Sequence, residues 1–326
     1  MSSVVDVIVP CYRYGHFLRQ CVESVLAQHM EVRVLIIDDA SPDDSAEIGA
    51  DLAARDARVA LTRHKANKGH IATYNEGIEW ATNPYVLLLS ADDYLLPGAL
   101  ARAVRVMEIR PEVGFVFGNA FELVQAGIMM PVEPLVAGRS PVKDCIMTGQ
   151  EFVIRSGARN IVPTPTAVVR TSIQKRVGGY RSELPHSGDM EMWLRLSLCA
   201  SVGFVNAYQA VYRLHSGNMS TVYREKSWLP DILQRKGALD CFFEHATGVA
   251  WVGPGLRARF LSALARDAVS HASRAFNDGD LEVSRRLSEL AVSIWPQITR
   301  SWPWTKLRSK RLMGRRAWGL LDAVRS

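Results

Sequence analysis

A buried strand that ends in acid restricts this chain more than any other feature. Tyr85-Val86-Leu87-Leu88-Leu89 is apolar or aromatic at every position, and Ser90-Ala91-Asp92-Asp93 follows at once. A short run of this kind reads as a strand covered on both faces, as in a parallel sheet. Leu95-Leu96-Pro97 comes next, with Pro97 suited to the first turn of a helix. Open α/β sheets bind ligands at the carboxyl ends of their strands. Side chains of neighbouring residues diverge there, so one acid can meet a hydroxyl and the other a divalent cation. An Asp-Asp turn that caps the following helix uses the same residues. Taken alone, the stretch leaves both readings open.

The flanking pattern narrows them. Val4 to Tyr12 is β-rich, and Phe17, Val22, Val25 and Leu26 recur at helical spacing within 16–28. A second buried strand, 32–37, ends in Asp38-Asp39, and a helix over 45–55 and a strand over 59–62 follow. The loop Asn67-Lys68-Gly69-His70 leads into a helix over 71–81. Strands alternating with helices predict a doubly wound, Rossmann-like, mostly parallel sheet. Right-handed crossovers then bring Tyr12, Asp39, the Asn67 loop and Asp93 to one crevice. Beyond it the pattern predicts a helix over 97–109, a strand over 113–117, a Pro/Gly-rich loop or hairpin over 127–142 and a helix over 148–156. Pro163-Thr164-Pro165-Thr166 cannot be helical, and the short apolar run 167–169 follows it. A helix over 189–198 and an extended stretch 202–211 lead to Tyr212-Arg213-Leu214-His215. Three helices, 226–247, 255–276 and 280–294, form a C-terminal extension.

Composition sets outer limits. The 326 residues are 48% hydrophobic and 22% charged, as in an ordinary globular protein. No apolar run approaches the roughly 18 residues of a spanning helix, and the N-terminus enters a strand pattern without a signal peptide. Cys11, Cys21, Cys145, Cys199 and Cys241 are scattered, which predicts reduced, mostly buried thiols in a cytoplasmic protein without zinc or disulfides. From Pro296 onward Arg300, Lys306, Arg308, Lys310, Arg311, Arg315, Arg316 and Arg325 face only Asp322, which exceeds the whole net charge of +6. The body is therefore near neutral. Trp302, Trp304 and Trp318 lie among those cations. The tail suits the inner face of an anionic membrane, or a helical end packed on the body. Nothing else in the chain supports a nucleic-acid surface.

Six segments, in order over residues 3–222, resemble family 2 glycosyltransferases, the inverting group with the GT-A fold. They are Val7-Ile8-Val9-Pro10-Cys11-Tyr12, Ile36-Ile37-Asp38-Asp39-Ala40-Ser41, Asn67-Lys68-Gly69 with Tyr74-Asn75-Glu76-Gly77, Leu88-Leu89-Ser90-Ala91-Asp92-Asp93, Gly188-Asp189-Met190-Glu191-Met192-Trp193-Leu194-Arg195, and Tyr212-Arg213-Leu214-His215 with Met219-Ser220. The chain departs from the pattern at Tyr74 (the family has Arg), Ser90 (Asp) and Gly188 (Glu). It also has no Gln-x-x-Arg-Trp after Trp193, the mark of processive synthases.

The resemblance implies a GT-A-like domain over 1–222, with a nucleotide-binding half 1–118 and an acceptor-binding half 119–222, then a helical region 223–326. It implies transfer of one sugar from a nucleotide donor, a UDP-sugar favoured, to a glycan or lipid-linked acceptor at the cell surface. Pro10, Tyr12, Asp39, Asn67, Gly69, Asn75 and Asp92 would line the nucleotide-sugar site. Asp93 and His215 would hold Mn²⁺ or Mg²⁺, and Asp189 would be the general base, with Glu191 second to it. Arg195 and Arg213 are phosphate candidates, and Trp193 belongs to the core. The C-terminal helices offer a homo-oligomer interface. Two other classes fit the same residues: a non-catalytic nucleotide-binding or scaffold relative, and a sugar nucleotidyltransferase, for which Pro10 to Gly15 makes a poor phosphate loop.

Overall fold

The computed structural model describes residues 4–124, 127–132, 143–215, 217–218, 223 and 228–323. The chain divides into two compact units. One comprises 1–156 and 160–215, the other 157–159 and 216–326.

The first unit opens with β1 (Val5–Cys11), α1 (Gly15–Leu26), β2 (Val32–Asp38), α2 (Ser45–Arg55), β3 (Val59–Arg63), α3 (His70–Trp80) and β4 (Tyr85–Leu88). It continues through β5 (Tyr94–Leu95), α4 (Ala99–Ile109), β6 (Val113–Leu123), β7 (Met129–Val132), β8 (Cys145–Met147), α5 (Gly149–Ser156), β9 (Val168–Arg170), α6 (Thr171–Val177), α7 (Gly188–Ser197) and β10 (Ser201–Arg213). The strands form one sheet in the order β3-β2-β1-β4-β9-β6-β10-β5, with β7 on β6 and β8 on β10. β1, β2, β3 and β4 pair in parallel, as do β6 and β10. Valines and isoleucines of β1 and β2 are fully buried, as strands covered on both faces require.

The sheet is thus a mostly parallel α/β core, and the pattern of Val4 to Leu89 carried most of it. Thr164–Thr166, expected not to be helical, form one short 3-10 turn, which needs no donor from Pro165, and three further features depart from expectation. The run 167–169 becomes β9, which lies antiparallel between β4 and β6. Pro97 does not open a helix. β5 pairs with β10 and Leu96 N–H donates to the Gln209 carbonyl at 2.8 Å, so α4 starts only after Gly98 at φ 75°. The expected strand 113–117 extends to Leu123 because β10 runs beside it throughout. Of the cysteines only Cys11 and Cys21 are buried, and Cys199 is exposed.

The second unit contains α8 (Leu229–His245), α9 (Pro254–Asp278), α10 (Leu281–Ile294) and α11 (Trp302–Ala323), the last broken at Gly314. Ala265, Ala268 and Ala272 are buried on α9, where small side chains let helices approach closely, and Phe242, Phe260, Leu264 and Leu287 fill the space around them. Asp267 accepts from Arg159 and from Arg235, each at 2.7 Å. The tail expectation of a basic helix corresponds to α11, although Arg325 and the Met219-Ser220 motif lie outside the described residues.

One buried carboxylate holds the start of the sheet. Asp6, on β1, accepts from Arg33 Nε at 2.8 Å and Nη2 at 3.0 Å, from the N–H groups of Thr82 and Asn83 at 2.7 and 2.8 Å, and from Asn83 Nδ2 at 2.7 Å. Those contacts join β1, β2 and the turn that launches β4. Burial raises the Asp6 carboxyl, but these donors outweigh it and hold the group below its ordinary value. Its stabilisation is therefore complete above the unfolded carboxyl value of about 3.9 and is lost as pH falls through the lower folded one. Asp6→Ala strands two backbone N–H groups, so urea unfolding should show a loss of about 3 kcal/mol at neutral pH, shrinking in acid.

Candidate active site

The carboxyl ends of β1, β2 and β4 meet at one edge. Asp39 N–H donates to the Cys11 carbonyl at 2.9 Å, and Ala91 N–H donates to the Pro10 carbonyl at 3.2 Å. Pro10 thus contributes its backbone, while Tyr12 is 39% exposed just beyond it. The two turns at this edge are strained. Arg13 has φ 65° and Ala40 has φ 58°, a region that costs a residue with a β-carbon about 1–2 kcal/mol. They restrain each other: Arg13 N–H donates to Ser41 Oγ at 3.1 Å, and Ser41 N–H donates to Asp38 Oδ1 at 3.1 Å.

Asp39 gathers the Asn67 loop. Its carboxylate accepts from Lys68 N–H at 2.7 Å and Gly69 N–H at 2.9 Å, and lies 2.7 Å from His64 Nδ1. Asn67 Nδ2 donates to the Asp39 carbonyl at 3.2 Å. His64 Nε2 in turn lies 2.9 Å from Glu76, which also accepts from Lys68 Nζ at 2.9 Å. Burial would raise the Asp39 carboxyl, but His64 and the two amides bring it below its usual value. It stays an anion. A pocket lined by Ala40, Ser41, Arg63, His64 and Lys65 opens beside it.

Asn75 sits elsewhere. Its Nδ2 donates to the Tyr180 carbonyl at 2.9 Å, and its Oδ1 accepts from Tyr180 N–H at 2.6 Å. Both ends of the amide therefore hold the loop before α7. Asn75 positions that loop, and its amide is not turned to the Asp39 edge as the sequence suggested.

After β4, the pairing of β5 with β10 carries Arg213 and His215 over the two acids. Asp93 Oδ1 accepts from Arg213 N–H at 3.0 Å. Asp92 Oδ2 lies 3.1 Å from His215 Nε2. His215 thus meets Asp92, whereas the sequence reading joined it to Asp93. Burial and then the neighbouring Asp92 charge push the Asp93 carboxyl well above the usual range, against the pull of Arg213. Arg213 itself is buried, donates to the Asp92 carbonyl and to Gln20 Oε1, and lies over the Phe17 and Tyr94 rings at 4.6 and 4.8 Å. Among the described residues no group of three His, Cys, Asp or Glu side chains is gathered to hold a metal.

Asp189 stands in the first turn of α7. Its Oδ2 accepts from Thr164 Oγ1 at 2.7 Å, and the Tyr180 hydroxyl is also bonded to it. Burial pushes its carboxyl above the ordinary range, and Thr164, His70, Tyr180 and His186 offset only part of the rise. Glu191, two residues on, is fully buried. It accepts from Arg195 Nε and Nη2, both at 2.9 Å, and from Arg181 Nε at 3.2 Å. Arg195 also donates to the carbonyls of Val177 and Gly179. Glu191 and Arg195 are thus a buried pair that ties α7 to the Gly178–Tyr180 loop, and neither is open for the roles first weighed for it. Trp193, 3% exposed beside Phe115, is core.

Tyr74 and Ser90, two of the departures, touch: their hydroxyls are hydrogen-bonded. Tyr74 also meets Tyr180 edge-on, with ring centroids 5.4 Å apart. Neither His64 nor Thr164 carried a sequence signal, because each acts through a residue remote in the chain.

The sheet's strand ends thus carry one anionic carboxylate and a pair of acids with a histidine, and a further acid with raised proton affinity stands at a helix start, a layout of the kind that open α/β sheets use to bind ligands. Residues 6–128 match the family model described as glycosyl transferase family 2. The chain is 26% identical over 252 residues to the glycosyltransferase GlyG of Streptococcus pneumoniae, which covers 74% of this chain and 81% of that protein. Its fold is similar to TarS 1-349 of S. aureus, solved in complex with UDP-GlcNAc, with a TM-score of 0.58 at 16% identity over 87% of this chain and 90% of that one. It is also similar to the mannosyltransferase PcManGT of Pyrobaculum calidifontis, solved with GDP-Man and Mn²⁺, with a TM-score of 0.52 at 16% identity over 95% and 86%. Residues 6–128 of this chain thus resemble family 2 glycosyltransferases, and the chain has a GT-A-like fold.

The buried pair gives a direct check. Glu191→Ala leaves Arg195 buried and unpaired, so unfolding should lose about 3–5 kcal/mol. Glu191→Gln should be milder, and the folded fraction should keep transferase activity within about threefold, since no proton passes through that position.

Proposed function

We propose that the enzyme transfers one sugar, with inversion, from a UDP-sugar to a hydroxyl of a glycan or lipid-linked acceptor in polysaccharide synthesis. Asp189 carries the reading. It is an acid at the start of a helix, beside two hydroxyl donors, whose burial raises its proton affinity toward neutral pH. The acceptor oxygen attacks the anomeric carbon as its proton passes to Asp189. The bond from that carbon to the diphosphate oxygen breaks, and its electron pair leaves with the nucleotide. One displacement inverts the centre, and no covalent intermediate forms. Asp39 and the Asn67–Gly69 turn hold the nucleoside end. TarS, solved with UDP-GlcNAc, supports the uridine donor.

A donor pair of one carboxylate and an imidazole is compatible with Mn²⁺ or Mg²⁺. The contact between Asp92 and His215 supports these two as the residues that hold it, with Asp93 bonded inward to β10 as their support. This moves the metal role first given to Asp93 onto Asp92 and leaves Asp93 as a support. Two protein ligands suffice, because such an ion fills its shell with water and phosphate oxygens. When bound it supplies charge neutralisation for the leaving diphosphate. The Mn²⁺ complex of PcManGT supports that dependence.

Calorimetric titration with UDP, GDP and dTDP, each with and without Mn²⁺, tests the site. UDP should bind and Mn²⁺ should tighten it. Asp92→Ala should abolish the metal effect, while Asp93→Ala should weaken binding and stability together. No nucleotide bound by folded protein would favour the scaffold reading. In transfer assays Asp189→Asn should lower the rate by about 10²–10⁴ with nucleotide binding unchanged.

The pH profile adds a signed test. The base works deprotonated, so the rate should rise with pH through the elevated Asp189 value. Thr164→Val removes a bond to the charged form and should move that limb to higher pH. A limb left in place would exclude Asp189 as the titrating group.

A further inference from the structure

The basic tail divides into two sets once α11 is seen in place. The inner set packs the helix onto its own unit. Leu307 and Lys310 are buried, and Lys310 Nζ donates to Ser273 Oγ at 2.9 Å and Asn277 Oδ1 at 3.1 Å on α9. Arg311 Nη2 donates to the Ser284 carbonyl at 2.8 Å and to Ser288 Oγ at 2.7 Å on α10. Arg315 donates to the Asn277 carbonyl at 2.9 Å. Three cations are therefore spent on docking, and they fix which way the rest of the helix faces.

The outer set has a different character. Trp302 is 74% exposed, Leu312 79% and Met313 41%. Trp302, Ser309 and Met313 recur at helical spacing along one face, and exposed Leu312 lies about a quarter-turn from them on the same outward side. Lys306 and Arg308 are exposed along the two margins of this strip. An exposed tryptophan with two large aliphatic side chains, edged by cations, matches the boundary of an anionic bilayer. There the indole sits at headgroup depth, aliphatic side chains enter the acyl edge and cations meet lipid phosphates. Lys and Arg stems can lie along apolar surface and keep their charge at the headgroups. No helix among the described residues is long and apolar enough to cross a membrane, so such a contact is one of surface.

We propose that the outward face of α11, with Trp302, Leu312 and Met313 as the inserted strip and Lys306 and Arg308 as its charged margins, docks the enzyme on an anionic lipid surface. Charge complementarity selects this occupant over a second copy. Two such faces brought together would set Lys306 and Arg308 of each chain against like charges.

The test is sedimentation of the full chain with phosphatidylcholine vesicles, with and without phosphatidylglycerol, at low and high salt. Binding should need the anionic lipid and fall with salt. Trp302→Ser with Leu312→Ser should lower partitioning by about tenfold or more. Lys306→Glu with Arg308→Glu should do the same for anionic vesicles. All four positions are exposed, and circular dichroism checks that each variant keeps its fold. Equal binding to neutral vesicles, or none to either, would overturn the proposal. So would concentration-dependent dimerisation lost in the Trp302→Ser variant, which would give the face to a second copy.

Discussion

Buried carboxylates that accept backbone N–H groups hold this sheet in the shape a ligand can use. Asp6 joins β1 and β2 to the turn before β4. Asp38 and Asp39 bind the turns that follow β2 and β3. Asp93 fastens the end of β10 over the end of β4. A carboxylate can satisfy several donors at once, and taking its charge out of water is tolerable only when it does so. Asp6 and Asp39 are placed where loops present two N–H groups each, whereas Asp38 and Asp93 each accept one. The strained turns at Arg13 and Ala40 persist because the same bonds over-determine them.

That arrangement accounts for the arginines as well. Arg195 and Arg213 belong to motif segments, and a charged side chain near a diphosphate site invites a phosphate role. Both are buried, and their donors are taken by Glu191, by backbone carbonyls and by Gln20. They build the walls of the site. In the function proposed above, neutralisation of the departing diphosphate is therefore assigned to a bound cation, with the contact of Asp92 and His215 as its support.

Local pattern explains what could be read in advance. Strands β1, β2 and β4 were legible because both faces of each are largely apolar, and the half-exposed edge strand β3 from its place between two helices. β9 was not, because an antiparallel strand of three residues looks like any short apolar run, and only its neighbours set its direction. Pro97 was misread for a similar reason: its residue type suits a helix start, but β5 is captured by β10, a partner more than a hundred residues away. Among site residues, the acids at strand ends were visible. The partners that decide their roles were not. Glu191 and Asp189 lie in one motif and differ only in what packs on them, and Asn75 owes its place to Tyr180, remote in the chain.

The three departures from the family pattern form one patch. Tyr74 and Ser90 share a hydrogen bond, so a hydroxyl pair stands where the family has an arginine and an aspartate. Tyr74 and Ser90 are both half-buried, and a neutral pair there needs less desolvation than a charged one. Gly188 completes the set. A β-carbon there would stand 3.3 Å from the Tyr180 ring, which packs on Tyr74 and whose hydroxyl bonds Asp189. The glycine leaves room for the tyrosine that orients the base. Seen singly, each change looks like damage to a transferase; linked through Tyr180, they place hydroxyls beside Asp189.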